Sequence, residues 1–237
     1  MDTQADAIPG AVPGENPAPA RLEALSDGVF AIIITLLVLD LHVPGPESLH
    51  GTSLRAALVH QWPVYVAYVL SFLQVGVVWF NHHTMFHYIR RSDHLLKVLN
   101  LLFLLCVAVV PFTTALMSEY ARSSEEDRRI ASQLYSGTLA VNGLFFNAMW
   151  RHALRARLVD PRADPHRLHA LGRHWMLIPV FYGLAFLLAY FNARVSLIMY
   201  VLLLLYYSLP GPAVVRWLTG RRAAAVLRGR PLEGVSS

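Results

Sequence analysis

Two aspartates bracket an uncharged run near the N-terminus. In "SDGVFAIIITLLVLD", Ser26 to Asp40, twelve residues separate Asp27 from Asp40 and none is charged. As an α-helix such a run covers about 18 Å at roughly 1.5 Å per residue, whereas a bilayer's hydrocarbon core is about 30 Å thick. An ionisable group within a span costs roughly 2.5–3.5 kcal/mol on insertion scales and turns toward protein or water. Either this segment is not a membrane helix, or its acids are shielded from lipid. A second cluster, "WFNHHTMFH" from Trp79 to His87, offers His82, His83 and His87. His83 and His87 are four apart and could share a ligand position, but a catalytic zinc needs three protein ligands and a water, and no H-E-x-x-H occurs. Ser26-Asp27 is no nucleophile elbow either, since G-x-S-x-G is missing. Hydrolytic chemistry has no support. What remains is a carboxylate–imidazole pair between Asp27 and His82 or His83, with packing and capping histidines as the plainer use of the cluster.

The elements that must position these groups are membrane helices. Hydrophobic residues make up 55% of the 237 and charged residues 15%, against about 25% charged in an ordinary soluble domain; mean hydropathy is +0.44. Residues 1–20 are acidic, rich in Pro, Ala and Gly, and read as a disordered cytoplasmic tail. Six spans follow in an all-α domain over 21–219. The first runs from about Arg21 to Val43 and stops at "VPGP". The second opens near Leu58 with Pro63 in its first turns, where a missing donor matters least. The third, Leu95 to Met117, is expected to kink at Pro111, with Thr113, Thr114 or a neighbouring helix satisfying the freed carbonyl. "IASQLYSGTLAVNGLFFNAMW" is the fourth and most polar, opened by the capped start "SSEEDRR"; "WMLIPVFYGLAFLLAYF" is the fifth; "VSLIMYVLLLLYYSL" is the sixth. Residues 220–237 read as a basic cytoplasmic tail. The single Cys106 excludes an intrachain disulfide.

Six spans put both termini on one side, and that side then holds 15 of the 20 Lys and Arg. The positive-inside rule places it in the cytoplasm. The basic balance is thus a topology signal, and no nucleic-acid partner is expected.

On a helical wheel of the first span, Leu25, Gly28, Ile32, Thr35, Leu36 and Leu39 share one stripe, and Phe30, Ile33, Ile34 and Leu37 lie broadly opposite. Periodicity alone fits ordinary helix packing as well as a pore lining. Asp27 falls off the stripe and should turn toward other helices. Glu23, four residues earlier, would repel it, and Arg21 stands on another side of the helix. Asp40 lies at the outer mouth, either drawing cations or at the water interface.

"RLEALSDGVFAI" resembles the R-x-x-x-F-S-D signature that opens the first helix of the endosomal and lysosomal potassium channel family (transmembrane protein 175 type), in its bacterial branch. "WPVYVAYVLSF", "VWFNHH" and "LLFLLCVAVVPFTT" are similar to its second and third helices in order; Leu25 stands where the signature has Phe. The resemblance implies a homotetramer in a bacterial plasma membrane, conducting potassium without a filter loop, and no T-V-G-Y-G occurs here. It places the pore constriction at Ile32, Leu36 and Leu39 and the selectivity threonine at Thr35. Arg21, Ser26, Asp27, Trp79, Asn81, His82 and His83 become the brace behind the pore. It implies no cofactor, with potassium as the permeant ion. A proton leak through the same pore, a membrane scaffold and a metal-binding membrane protein are the alternatives.

Overall fold

The computed structural model describes residues 17–45 and 53–208. Both expected tails lie mostly outside them, as does the stop at Pro210 to Pro212. The described residues form an all-α bundle whose only extended pairing is an isolated antiparallel bridge, Ile89 with Val159.

Helix α1 (Pro17–Leu36) starts four residues before Arg21 and tightens into a 3-10 turn at Leu37–Asp40, ending before Val43. A short α2 (Leu54–His60), capped by Ser53, breaks at Gln61 from α3 (Trp62–Tyr88), so the expected second span divides in two. Pro63 sits in the first turn of α3, where the helix has no donor to lose. The third span also divides, into α4 (His94–Ala108) and α5 (Val110–Glu119), with the break at Val109 just before Pro111. Thr113 and Thr114 both turn their hydroxyls onto the Val110 carbonyl, at 3.0 and 2.8 Å. Neither reaches the Val107 carbonyl that the proline frees.

Helix α6 (Glu125–Arg155) is the longest, at 31 residues. Ser124 caps it, accepting from the Asp127 amide at 3.2 Å, and Glu125, Glu126 and Asp127 fill its first turn, where carboxylates complement the helix dipole. Helices α7 (Pro165–Phe191) and α8 (Ala193–Ser208) complete the described chain. The basic stretch "RHALRARLVDPRADPHRLH" is shared between the end of α6 and the start of α7, and only 156–164 connects them.

Among the described residues, four stretches are long and apolar enough to cross a membrane: Pro19–Asp40, Trp62–Tyr88, His94–Arg122 and Pro165–Phe191. Helix α6 has the length but not the apolarity, and the described part of α8 is shorter. The polar face of α6 is spent inside the protein. Asn142 donates to the Phe103 carbonyl at 3.2 Å, and Asn147 to the Trp175 carbonyl at 2.9 Å.

The most extensive helix pair is α6 against α7. Phe146, Trp150 and Trp175 meet edge-to-face at its centre, with Trp175 5.1 Å from each of the other two rings. At Gly143 the helices come so close that a Cβ would lie 3.0 Å from Ile178 and 3.1 Å from the Pro179 ring. At the end of the bundle where α1 begins, the two connections clasp each other. The Arg90 amide donates to the Leu158 carbonyl and the Asp160 amide to that of Tyr88, both at 2.8 Å. Arg90 pairs with Asp160 at 3.2 Å, and His152 donates to Asp93 at 2.7 Å. Partial burial pushes the Asp93 carboxyl up, but the Leu96 amide and the His152 ring outweigh it and hold it below the usual carboxylate range.

The Gly143 contact yields a test. Gly143→Leu overpacks the seam, for which about 1–3 kcal/mol is typical, so the melting temperature of the purified protein should fall by several degrees. An unchanged melting curve would mean that α6 and α7 do not meet there.

Candidate functional site

Helix α1 has two faces of opposite fate. Leu22, Ser26, Phe30, Ile33 and Leu37 are buried against α3, α4 and α5, at the three- and four-residue spacing that puts them on one side. The other side has nothing over it among the described residues: Ile32 is 60% exposed, Leu36 42% and Leu39 68%, and Leu25, Gly28 and Thr35 are exposed as well. Ile34 lies between the two, half-buried against the core. Thr35 donates its hydroxyl hydrogen back to the Ile32 carbonyl at 2.8 Å. Its oxygen therefore offers lone pairs, not a proton, to whatever approaches.

Behind the exposed stripe, three polar residues of α1 are each met by a different partner. Asp27 accepts from the Trp79 indole N–H at 2.9 Å. One turn earlier, Glu23 accepts from His83 Nδ1 at 3.0 Å. Trp79 and His83 are themselves one turn apart on α3, and their rings stack at 5.9 Å. Helices α1 and α3 run antiparallel here, so matching steps of four along each keep both pairs in register. Ser26, fully buried, donates to the Leu22 carbonyl at 2.9 Å and accepts from the Asn100 amide at 3.0 Å. The Asn100 oxygen then accepts from His82 Nε2 at 2.9 Å. Each donor in this relay has one acceptor, and the direction of the Asn100 amide fixes the His82 tautomer with its proton on Nε2. The buried His82 ring is stacked between Phe86 and Phe103, at 4.5 and 5.3 Å.

The expected Asp27 pairing with His82 or His83 is therefore corrected. The carboxylate–imidazole pair of this site is Glu23 with His83, and Asp27 is held by a neutral indole. Helix geometry is the reason: His82 is rotated 100° from His83 and turns inward toward α4, not toward α1's acids. Asn81 does not belong to the α1 contact. It accepts from the Trp175 indole at 3.1 Å and so ties α3 to α7. Arg21 is exposed and makes no hydrogen bond or ion pair among the described residues. Asp40 is half-buried; its backbone carbonyl accepts from His42 at 2.8 Å and its Oδ2 has no partner. Among the described residues no three His, Cys, Asp or Glu side chains converge as a metal site.

Two participants were missed from the sequence. Glu23 was read only as a neighbour that repels Asp27. Asn100 was passed over inside an apolar run, although a lone amide between Leu99 and Leu101 is the kind of intramembrane polar residue that demands a partner.

Residues 21–111, which carry this whole network, match the family described as endosomal/lysosomal potassium channel TMEM175. A potassium channel of Streptomyces collinus is 45% identical over 191 residues, covering 79% of this chain and 90% of that protein. The chain belongs to the TMEM175 family. TMEM175 proteins are ion channels, and this one is a membrane protein of that kind, not an enzyme. The crystal structure of a lysosomal potassium-selective channel TMEM175 homolog from Chamaesiphon minutus superposes with a TM-score of 0.74 at 35% identity, covering 81% of this chain and 97% of that one. The endosomal/lysosomal proton channel TMEM175 of Gallus gallus is 39% identical over 141 residues, 56% of this chain but 28% of that larger protein.

The relay in this TMEM175 chain predicts unequal costs. Asn100→Ala leaves the buried His82 Nε2–H without its acceptor, an unsatisfied group that costs about 1–3 kcal/mol, and leaves Ser26 with only its bond to the Leu22 carbonyl. Trp79→Phe removes one donor from a half-exposed carboxylate. The melting temperature should fall further for Asn100→Ala than for Trp79→Phe; the reverse order would show that Asp27, not Ser26, anchors the helix.

Proposed function

We propose that this chain forms a potassium-selective leak channel, assembled as a homotetramer in a bacterial plasma membrane. Each subunit contributes six spans: α1, α3, α4 with α5, α6, α7 and α8. Both termini lie in the cytoplasm, the arrangement that gives the cytoplasmic side 15 of the 20 Lys and Arg. The α1 helices gather on the symmetry axis and turn Ile32, Leu36 and Leu39 toward it.

One observation carries this reading: α1 is braced by polar contacts on one face while its apolar stripe has no cover among the described residues. A ring of Ile and Leu closes a pore by excluding water, and ions pass when it widens or wets. Potassium holds its hydration shell less tightly than sodium, so the narrow ring costs it less. The Thr35 oxygens, with their protons committed to Ile32, replace part of the lost shell. Glu23, Ser26 and Asp27, met by His83, Asn100 with His82, and Trp79, hold α1 in place behind the pore; Asn81 supports α3 from α7, and Arg21, with no hydrogen bond or ion pair among the described residues, is not part of the brace. No cofactor enters this scheme.

A second reading has its own support. The vertebrate relatives are named proton channels, and an apolar constriction that wets transiently passes protons along the same axis. Flux under a pH gradient separates the two.

Proteoliposome flux tests the pore assignment. Ile32→Asn and Leu36→Asn should each raise potassium flux several-fold or relax selectivity; if neither changes flux, the stripe is not the pore. Thr35→Ala should shift the reversal potential toward lower potassium preference. An unaltered reversal potential removes Thr35 from selectivity. Wild-type liposomes with no flux of potassium, sodium or protons would leave a scaffold.

A further inference from the structure

At the end of the bundle opposite the start of α1, a cavity of about 530 Å³ opens between α3, α5, α6 and α8. It is separate from the α1 stripe, and its volume is in the range of ligand pockets, about 300–1,000 Å³. We infer that it holds one acyl chain of an anionic phospholipid, whose phosphate sits against Arg128 and Arg194.

The polarity of the cavity is graded in the way an amphiphile requires. Its walls are apolar and kept apart by small side chains, Ala67 on α3 and Ala131 on α6, with Leu197 facing them from α8. Its floor is hydroxyl-lined but already satisfied from within. With the Thr114 proton on the Val110 carbonyl, Ser71 donates to Thr114 at 2.8 Å, Ser71 accepts from Tyr135 at 3.2 Å, and Ser132 bonds Tyr200 at 2.8 Å. Nothing at the bottom calls for a polar ligand, and a cavity with apolar walls is a poor site for water.

The rim is different. Arg128 donates to the Ser123 carbonyl at 2.7 Å and pairs with Glu125, yet its Nε is buried with no partner. Glu125 is shared with Arg129 at 3.5 Å, so one carboxylate serves two guanidinium groups. The exposed Arg194 side chain has no hydrogen bond or ion pair among the described residues. Neither Glu126 nor Asp127 lines the cavity. The mouth therefore carries net positive charge, and the exposed, uncommitted Arg194 guanidinium gives a phosphate its accessible donors.

Depth agrees with charge. Trp62 at the rim and Ser71 at the floor are nine residues apart on α3, about 13 Å along the axis. One leaflet of the hydrocarbon core is about 15 Å. A tail entering beside Trp62, an interfacial anchor type, reaches the hydroxyl floor near the bilayer centre.

Native mass spectrometry of the full chain, released from detergent containing equal phosphatidylglycerol and phosphatidylcholine, tests this. Phosphatidylglycerol should be retained over phosphatidylcholine by roughly ten-fold, the scale of one charge-assisted contact. Arg194→Gln and Ala131→Leu should each lose most of that retention, the first by removing the charge and the second by filling the slot. Equal retention of the two lipids by the wild type overturns the inference. So does a loss with Arg194→Gln while Ala131→Leu retains the lipid, which would mean a surface headgroup contact with no tail inside. If Ala131→Leu proves unstable, Ile198→Trp narrows the mouth from an exposed position, and undiminished retention there is equally fatal. The readout is independent of ion flux.

Discussion

The constraint on which the rest of this structure depends is the cost of a bare polar group in the membrane interior. Helix α1 carries Glu23, Ser26 and Asp27 at the start of an otherwise apolar span. Each must find a donor or acceptor, because lipid offers none. The donors come from α3 and α4, and once they are engaged the rotation of α1 is set: Phe30, Ile33 and Leu37 go to the core, and Ile32, Leu36 and Leu39 are forced outward. The orientation of the apolar stripe is thus decided by polar contacts on the other side of the helix. A change that breaks the brace acts on the stripe without touching it.

The donors are chosen to avoid a second buried charge. Asp27 meets an indole, not a lysine or arginine, and Ser26 meets an amide. An ion pair in this position would add the desolvation of a cation to that of the carboxylate. A neutral donor with one N–H gives direction without that cost. Glu23, nearer the end of the helix, takes the imidazole instead. Aromatic stacking does the remaining work: His82 is fixed between Phe86 and Phe103, so the relay through Asn100 has little rotational freedom to lose when α1 docks.

How much of this was legible in the sequence depended on the kind of signal. The faces of α1 were legible, since helical periodicity is a local property and the buried and exposed sets separate as the wheel placed them. The all-α class followed from the long apolar runs. Helix breaks carried the same flag in both places: Pro111 stands two residues after the break at Val109 and Pro63 two residues after the break at Gln61, but a proline in a first turn is as compatible with a helix already begun as with a new start. Partners were least legible. Trp79, His82 and His83 are adjacent enough that either histidine could have met Asp27, and only the rotation of α3 against α1 decides which side chain faces which. Asn100 illustrates the same limit, because its role depends on α4 lying beside α1 and α3 at once, a relation between three helices that no single segment records. The polarity of α6 was legible, but its partners were not: Asn142 and Asn147 donate to the carbonyls of Phe103 and Trp175, and backbone acceptors leave no trace in a residue pattern.

Exposure of Ile and Leu on a membrane helix proves little by itself, because acyl chains solvate them as well as protein does. Helix α8 exposes Ile198 and Leu202 in the same way. What separates α1 is the company its stripe keeps. A Cβ at Gly28 would meet nothing within 4 Å, so no contact among the described residues explains a glycine there, at a cost of about 1 kcal/mol in helix propensity relative to alanine. Ala24, also exposed, stands four residues before it, and this small-x-x-x-small spacing is the pattern by which membrane helices approach one another closely. Thr35 adds a hydroxyl oxygen to the same exposed face, whereas the Asp27 carboxylate is committed to Trp79 behind it. Small residues and a hydroxyl on this face are what the proposed packing of α1 against its own copies would use, and acyl chains alone give no reason for them.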